Sequence, residues 1–290
     1  MSEDLFASIS PRRPVSLIDL VETKTPETAR AFLDRNARAA QSAGGRVALA
    51  NEAVAPMIRP DEGDPGADDA IGALVISDYP TPDAARGALG KRNDGQGEFD
   101  PGEIRTFVAR PVDRIESLFG RTLPKTLGRW GRTAVARTDD PRALETLIEN
   151  AYTLGEQPGR DRWSRLVERS GDRPIWMLNF LEFRETAVYP EDAAPKTPIS
   201  GARAYRRYGS GMIRSLAAVG GRVGWSGYSR GQVSGRDDGA WHQVAIGIYP
   251  SAAAMMTMLA LPKYRAAHIH RHAALARTRL LATQPWNDAQ

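Results

Sequence analysis

The chain has 290 residues, of which 41% are hydrophobic and 26% are charged, a composition typical of globular rather than disordered proteins. It contains no cysteine, which excludes a disulfide framework, a thiolate metal site and a cysteine nucleophile. The formal charge of +4 is small for this length and gives little support for a nucleic-acid partner. Apolar runs are too short for a membrane helix, and the acidic start does not resemble a signal peptide, so we expect a cytoplasmic protein without membrane contact.

The first half of the chain predicts alternating strands and helices. Residues 1–13 are expected to form a flexible arm, and residues 15–21 have the β-branched, alternating pattern of a strand. Thr25 and Pro26 provide a helix N-cap and first turn, and Gly44-Gly45 ends that helix. Further strands are predicted at residues 46–50, 71–79 and 104–109, with a second helix capped by Thr81.

The same order of elements recurs in the second half. Residues 175–180 predict a strand, residues 200–219 a helix, and residues 279–282 a closing strand after a helix capped by Ser251. The letters Gly-Gly-Arg-Val at 220–223 repeat those at 44–47, and the Tyr-Pro pair at 249–250 repeats the pair at 79–80. Two shared anchors in one β-α-β-β-α-β order indicate a duplicated ferredoxin-like unit.

The duplication predicts an α+β fold made of two tandem ferredoxin-like domains. One such unit leaves a face of its antiparallel sheet bare, and a second copy can bury that face within the same chain. We therefore expect domain 1 at residues 14–115 and domain 2 at residues 174–286. Residues 116–173 are expected to be a connector, in which residues 141–148 and 161–167 have helical patterns.

Several motifs of the second half occur together in one known family. They are Met-Leu-Asn-Phe-Leu-Glu-Phe at 177–183, Tyr205-x-x-Tyr208-Gly209, Gly-Gly-Arg-Val at 220–223 with Trp225, Tyr-Pro-Ser at 249–251, Pro262-x-Tyr264, and the run from His270 to Leu280. With these motifs, residues 174–284 resemble the family called domain of unknown function 1330, within the dimeric α+β barrel superfamily. The first half shares only the glycine pair and the Tyr-Pro pair, and it has Asp19 where the family has asparagine. The resemblance therefore implies that domain 1 is a degenerate copy and that domain 2 carries the site.

The resemblance implies a fold more than a function. Its superfamily includes cofactor-free monooxygenases, lactone isomerases, haem-binding enzymes and proteins without an assigned activity, and a shared fold does not fix the chemistry. Sites in the superfamily typically lie between a sheet and its covering helices, and its members usually pair. We therefore expect two fused halves packed as a dimeric α+β barrel, a site on domain 2 and assembly as a homodimer.

The region from residue 239 to 287 contains no Asp or Glu but holds five Lys or Arg residues and all four histidines. His268 and His272 have the i, i+4 spacing of a metal pair, but the absence of nearby carboxylates and the neighbouring arginines oppose a divalent cation. We therefore expect no metal and no cofactor. His270 and Arg271 are candidate catalytic residues, and Arg279 a candidate anion-binding residue, because guanidinium groups bind carboxylates and enolates bidentately. The alternative is a solvated basic helix, with Arg279 paired to the other half.

Other polar and aromatic residues are candidate substrate-binding residues. Asn179 lies in an apolar strand, where its amide is costly to bury unless it binds either a substrate carbonyl or a protein partner. Strand alternation places Asn179 on the same face as Met177. Tyr205 and Tyr208 share one helix face, either as core or as pocket lining. Trp225 is expected either to orient the substrate or to belong to the core of the sheet.

These residues predict a protein that binds a small anionic or carbonyl-bearing metabolite and acts on it without a cofactor, as an oxygenase, isomerase or lyase. His270 would be the acid or base, because histidine titrates near neutral pH. The alternative is a non-catalytic small-molecule-binding protein, and a haem- or metal-binding enzyme is less favoured. RNA-recognition domains share the order of elements, but the first-half strands have hardly any of the aromatics that those domains need.

Overall fold

A computed structural model describes residues 5–23, 25–58, 70–93, 104–112, 133–135, 140–152, 159–235 and 239–286. The first half comprises β1 (Val15–Glu22), α1 (Pro26–Ser42), β2 (Arg46–Ile58), β3 (Ile71–Tyr79), α2 (Pro82–Asn93) and β4 (Ile104–Pro111). Two connecting helices follow, α3 (Pro141–Tyr152) and α4 (Arg160–Ser170). The second half comprises β5 (Ile175–Phe183), α5 (Gly201–Ala218), β6 (Arg222–Ser234), β7 (Gln243–Tyr249), α6 (Ala252–Ala260), α7 (Pro262–Ala274) and β8 (Leu275–Pro285). Within these ranges no helix is long and apolar enough to cross a bilayer.

The β-α-β-β-α-β order occurs twice, which confirms the predicted fold class. The second half departs from it in one respect, because the helix capped by Ser251 is divided into α6 and α7 at Leu261. Leu261 has extended backbone angles, φ −66° and ψ 133°, which are those that a following proline imposes. A separate helix, α7, therefore begins at Pro262 and leads directly into β8.

The eight strands close into one barrel in the order β1-β3-β2-β8-β5-β7-β6-β4. Each half contributes a four-stranded antiparallel sheet, and the halves join at two seams, β2 with β8 and β4 with β6. The sequence predicted that the halves pack together by their faces. The structure adds that their edge strands also pair, which leaves no open edge among the described strands of the barrel.

The repeated glycine pairs occupy matching places in the two halves. Gly44 and Gly220 follow α1 and α5 with φ of +73° and +80°, a region that favours glycine. In both halves the second glycine, Gly45 or Gly221, donates its N–H to the carbonyl five residues earlier at 2.8 Å. This is the Schellman arrangement, and it turns the chain from the helix into the next strand.

The hydrophobic core has an inner and an outer part. The inner part fills the barrel, and its members include Ile18, Leu74, Phe107, Leu178, Phe180, Ile246 and Leu281. The outer parts lie between the sheets and their covering helices. In β5, Leu178 and Phe180 therefore point inward while Met177 packs outward, as the predicted alternation requires.

The connecting helices are part of the outer core of the second half. Trp163 and Leu166 of α4 are buried in the same cluster as Met57 of β2 and Met255 of α6. The predicted helical patterns at residues 141–148 and 161–167 correspond to α3 and α4. Residues 116–132, 136–139 and 153–158 of the expected connector lie outside the described residues.

The N-terminal segment packs against the first half at two points. Phe6 and Ile9 are buried in a cluster with Val15, Leu17 and Tyr79. Sequence analysis assigned residues 1–13 to a flexible arm, because they contain no regular pattern. Two large apolar side chains are enough to hold the described residues 5–13 of this segment on the sheet.

Candidate functional site

A cavity lies between the outer face of the second-half sheet and its helices, where the sequence predicted a site. It encloses about 80 Å³. A single water needs only about 10–15 Å³ on the same scale, so the cavity has room for a small organic molecule. Strands β5 to β8 form its floor, helices α5 to α7 cover it, and Trp163 of α4 with Ile58 of β2 closes one side.

The cavity has an apolar wall and a polar group of side chains. The apolar wall is rich in methionine and leucine: Met177, Met212, Met255, Met258, Leu259 and Leu280. The polar group consists of Asn179, Tyr205, Tyr208, Tyr249, Tyr264 and Arg271. None of the described residues that line the cavity is Asp or Glu. Apolar lining with a few convergent polar groups is the usual composition of a small-molecule site.

Four tyrosines reach the cavity from three elements. Tyr205 and Tyr208 lie on one face of α5, with ring centroids 5.2 Å apart, because residues three apart on a helix are neighbours. Tyr264 comes from the first turn of α7, and its hydroxyl lies 3.3 Å from that of Tyr208. Tyr249 ends β7. All four phenol groups therefore line the same cavity.

Burial keeps these phenol groups protonated. It raises the pKa of Tyr264 to about 12, and it raises the pKa values of Tyr205, Tyr208 and Tyr249 above the usual range. All four are therefore neutral at physiological pH. In that state they can donate hydrogen bonds to a ligand but cannot act as bases.

Arg271 supplies the positive charge of the site. It lies in the last turn of α7 and is only 4% exposed. Its Nη2 donates to the Thr278 hydroxyl at 3.4 Å. Its charge opposes the rise in pKa of all four tyrosines, with which it lines the cavity. A guanidinium stays charged even when buried, so the cavity has a permanent cation.

Asn179 has the protein partners that the sequence left open as one alternative, and it also lines the cavity. Its amide nitrogen donates to the backbone carbonyls of Met177 at 2.9 Å and Ala245 at 3.4 Å. These bonds satisfy the amide within the sheet, and the residue also lines the cavity. Its carbonyl oxygen takes part in neither bond, which suits it to accept a hydrogen bond.

His270 does not line the cavity. Its Nδ1 lies 2.9 Å from the Tyr189 hydroxyl, and burial, with a smaller contribution from Arg207, lowers its pKa below the usual value. His268 and His272 pack ring against ring at 4.7 Å. Among the described residues no group of three or more His, Cys, Asp or Glu is placed to hold a metal ion.

Trp225 and Arg279 belong to the barrel interior rather than to the cavity. A β-bulge between Val223 and Trp225 adds one residue to β6, so Val223 lines the cavity while Trp225 packs against the inner core. Simple alternation would put both on one face. The Arg279 guanidinium lies 5.5 Å from the Trp241 ring and 5.9 Å from the Phe180 ring, both of which are inner residues.

The predicted set thus divides into two groups. Asn179, Tyr205, Tyr208 and Arg271 meet at the cavity, whereas His270, Trp225 and Arg279 lie elsewhere. Sequence reasoning did not assign Tyr249 and Tyr264 to the site. Both stand in the motifs Tyr249-Pro250 and Pro262-x-Tyr264, and those motifs were the available signal.

Comparison with known proteins finds a relative of unknown function and structural neighbours of low identity. No protein-family model and no curated protein matches it. A protein of unknown function from Rhodopseudomonas palustris is 33% identical, with 45% of this chain and 95% of that chain covered and a TM-score of 0.41. An anthrone oxidase-like protein is 12% identical, with 95% of this chain and 92% of that chain covered and a TM-score of 0.46. A mutant chlorite dismutase from Candidatus Nitrospira defluvii is 7% identical, with 96% of this chain and 94% of that chain covered and a TM-score of 0.41. At 33% identity over 95% of the Rhodopseudomonas palustris protein, the chain belongs to the same family as that protein.

Proposed function

We propose that the second-half cavity binds a small organic molecule with an apolar body and an anionic or carbonyl end. The observation that carries this proposal is the buried Arg271 guanidinium, which shares a methionine- and leucine-rich cavity with four neutral tyrosines. We also propose that domain 2, at residues 174–286, is the site-bearing domain and a member of the domain of unknown function 1330 family. Domain 1, at residues 14–115, would be its degenerate copy.

The polar end of the ligand would bind at Arg271. A guanidinium forms short, charge-assisted hydrogen bonds with anionic oxygens and weaker ones with neutral carbonyls. The hydroxyls of Tyr208 and Tyr264 add further donors at the same end of the cavity. The carbonyl oxygen of Asn179 would accept a hydrogen bond from a ligand hydroxyl.

The apolar body of the ligand would pack against the methionines. Met177, Met212, Met255 and Met258 approach the cavity from β5, α5 and α6. Methionine side chains are unbranched and adapt to irregular shapes, so this wall fits a ring or a short chain without strong selection between them. Selectivity is therefore expected to arise at the polar end.

The same donors would support a reaction that builds negative charge on the bound oxygen, as oxygenase, isomerase or lyase reactions of an enolate do. Preorganised donors aimed at a developing oxyanion lower the barrier to its formation. In this proposal Arg271 and the tyrosines hold the charge, and the acid–base role of His270 stays a prediction that its position outside the cavity does not favour. A non-catalytic binding protein would use the same cavity and release its ligand chemically unchanged.

The proposal is tested by closing the cavity. Ala245→Leu places a larger side chain in the cavity wall, while Ala266→Leu makes the same change on an exposed part of α7. We expect benzoate, benzamide and phenol to bind the wild-type protein and Ala266→Leu in calorimetric titrations, and to bind Ala245→Leu about tenfold more weakly or not at all. Equal binding to all three proteins would place the site elsewhere.

A further inference from the structure

The first half contains a buried ion pair at the place that corresponds to the cavity. Asp19 is the fifth residue of β1, as Asn179 is the fifth residue of β5. The Asp19 side chain is fully buried, and its Oδ1 accepts from Arg92 Nη1 at 2.8 Å and from the Thr106 hydroxyl at 2.7 Å. The first half therefore contains its own carboxylate between its sheet and its helices.

The two arginines occupy comparable places in their halves, although the strand residues that they contact are two positions apart in register. Arg92 lies in the last turn of α2 and Arg271 in the last turn of α7, each in the final helix of its half. Each donates through Nη2 to a threonine of the strand that follows, Arg92 to Thr106 at 2.8 Å and Arg271 to Thr278 at 3.4 Å. Arg271 is thus the counterpart of the arginine that binds the Asp19 carboxylate.

The aromatic neighbours correspond as well. Tyr79 and Tyr249 are the tyrosines of the repeated Tyr-Pro pair, and each is electrostatically coupled to the arginine of its own half. Phe32 and Tyr208 each stand 12 residues before the first glycine of their pair, and the Arg92 guanidinium lies 5.6 Å from the Phe32 ring. In each half, a helix arginine and two aromatic rings therefore lie around the fifth residue of the first strand.

The halves differ in the functional group at this strand position. The carboxylate position of β1 is a neutral amide in β5, and the second half has a cavity beside it. We propose that the ligand is a monocarboxylate with an apolar body, whose carboxylate binds Arg271 as the Asp19 carboxylate binds Arg92. This inference rests on the proposed function and narrows its ligand class.

Charge and donor geometry favour a monoanion over the other ligands of the broader class. A carboxylate accepts two parallel hydrogen bonds from a guanidinium, whereas a neutral carbonyl offers a single oxygen without charge. A dianion would bring a second charge into a cavity whose lining contains one arginine among its described residues and no other Lys or Arg, and an uncompensated buried charge is costly. The tyrosine hydroxyls can donate to the same carboxylate.

The test compares a carboxylate with its neutral isostere on the full chain. We expect benzoate to bind the wild-type protein about tenfold or more tightly than benzamide in calorimetric titrations. Asn179→Asp puts the first-half carboxylate into the cavity, and it should weaken benzoate binding about tenfold or more while changing benzamide binding far less. Arg271→Met removes the cation and should abolish the preference for benzoate, whereas Arg271→Lys should retain part of it.

The possible results separate the two proposals. Equal affinities of the wild-type protein for benzoate and benzamide, with both lost in Ala245→Leu, would overturn the carboxylate assignment and leave the proposed function standing. Binding of neither probe would overturn both. If Asn179→Asp does not fold, the Arg271 variants decide alone: an unchanged benzoate preference in Arg271→Met overturns the assignment.

Discussion

At the scale of single residues, the two halves differ most where an aspartate in one corresponds to an asparagine in the other. Asp19 can accept hydrogen bonds but cannot donate them, so its position requires donors, which Arg92 and Thr106 provide. Asn179 can donate to two backbone carbonyls and adds no charge beside Arg271. The exchange of a carboxylate for an amide at this strand position thus distinguishes the structural ion pair of the first half from the candidate binding site of the second.

The ion pair of the first half is expected to be sensitive to the loss of one charge. Asp19→Asn should lower the free energy of unfolding by about 3–5 kcal/mol, because it leaves the Arg92 charge buried beside a neutral amide. Urea denaturation measures this loss. Asp83→Asn, which removes the exposed ion pair with Arg86, is the matched control and should cost less than about 1 kcal/mol. Equal losses in both variants would contradict the structural role of Asp19.

The buried tyrosines predict a loss of stability in alkali. Burial raises the pKa of Tyr264 from 10.0 to about 12, so the unfolded chain releases this proton at lower pH than the folded one. Its contribution is fully present below pH 10 and is lost as pH rises towards 12. Urea midpoints measured across this range should fall, and Tyr264→Phe should reduce the fall. An identical profile for the variant would contradict the assignment.

At the scale of elements, helix ends and strand register decide what reaches the cavity. The glycine pair after α5 turns the chain into β6, and the bulge in β6 then directs Val223 towards the cavity and Trp225 away from it. Caps and glycine pairs are local signals, so the sequence predicted the order of the elements, apart from the division of the last helix, and four of the residues that line the cavity. The bulge that turns Trp225 inward depends on pairing with β7, and its local signal in β6 is Gly224, which lies within the strand between Val223 and Trp225.

Two glycines of the second half should respond to alanine in opposite directions. Gly220→Ala should destabilise the protein by about 1–2 kcal/mol, because φ of +80° strains a residue with a side chain. Gly209→Ala lies within α5, where an added Cβ meets nothing within 4 Å, and should stabilise by about 0.5–1 kcal/mol. Thermal unfolding of both variants tests this, and a change of the same sign in both would refute the argument.

At the scale of the whole molecule, the barrel joins the halves through two strand seams and one shared interior. Phe107 of the first half packs on Phe180 of the second with ring centroids 4.8 Å apart. The repeat within the sequence predicted two packed copies. It did not predict the pairing of β2 with β8 or of β4 with β6, because such long-range contacts leave no periodic pattern in either strand.

The shared interior predicts that the two halves unfold together. We expect hydrogen exchange in urea to report the same unfolding midpoint for amides of β1 and of β5, because opening either sheet exposes the same inner core. Because the described strands form a closed barrel, neither half can unfold alone without breaking both seams. Two well-separated midpoints would show that the halves are independent domains.

The central claim is that Arg271 binds a ligand carboxylate as Arg92 binds the Asp19 carboxylate in the first half. A crystal structure of the full chain with benzoate tests it most directly. The account predicts the benzoate carboxylate at about 2.7–2.9 Å from the Arg271 guanidinium, with the ring against the methionine wall. Benzoate bound outside this cavity, or inside it with its carboxylate directed away from Arg271, would contradict the account.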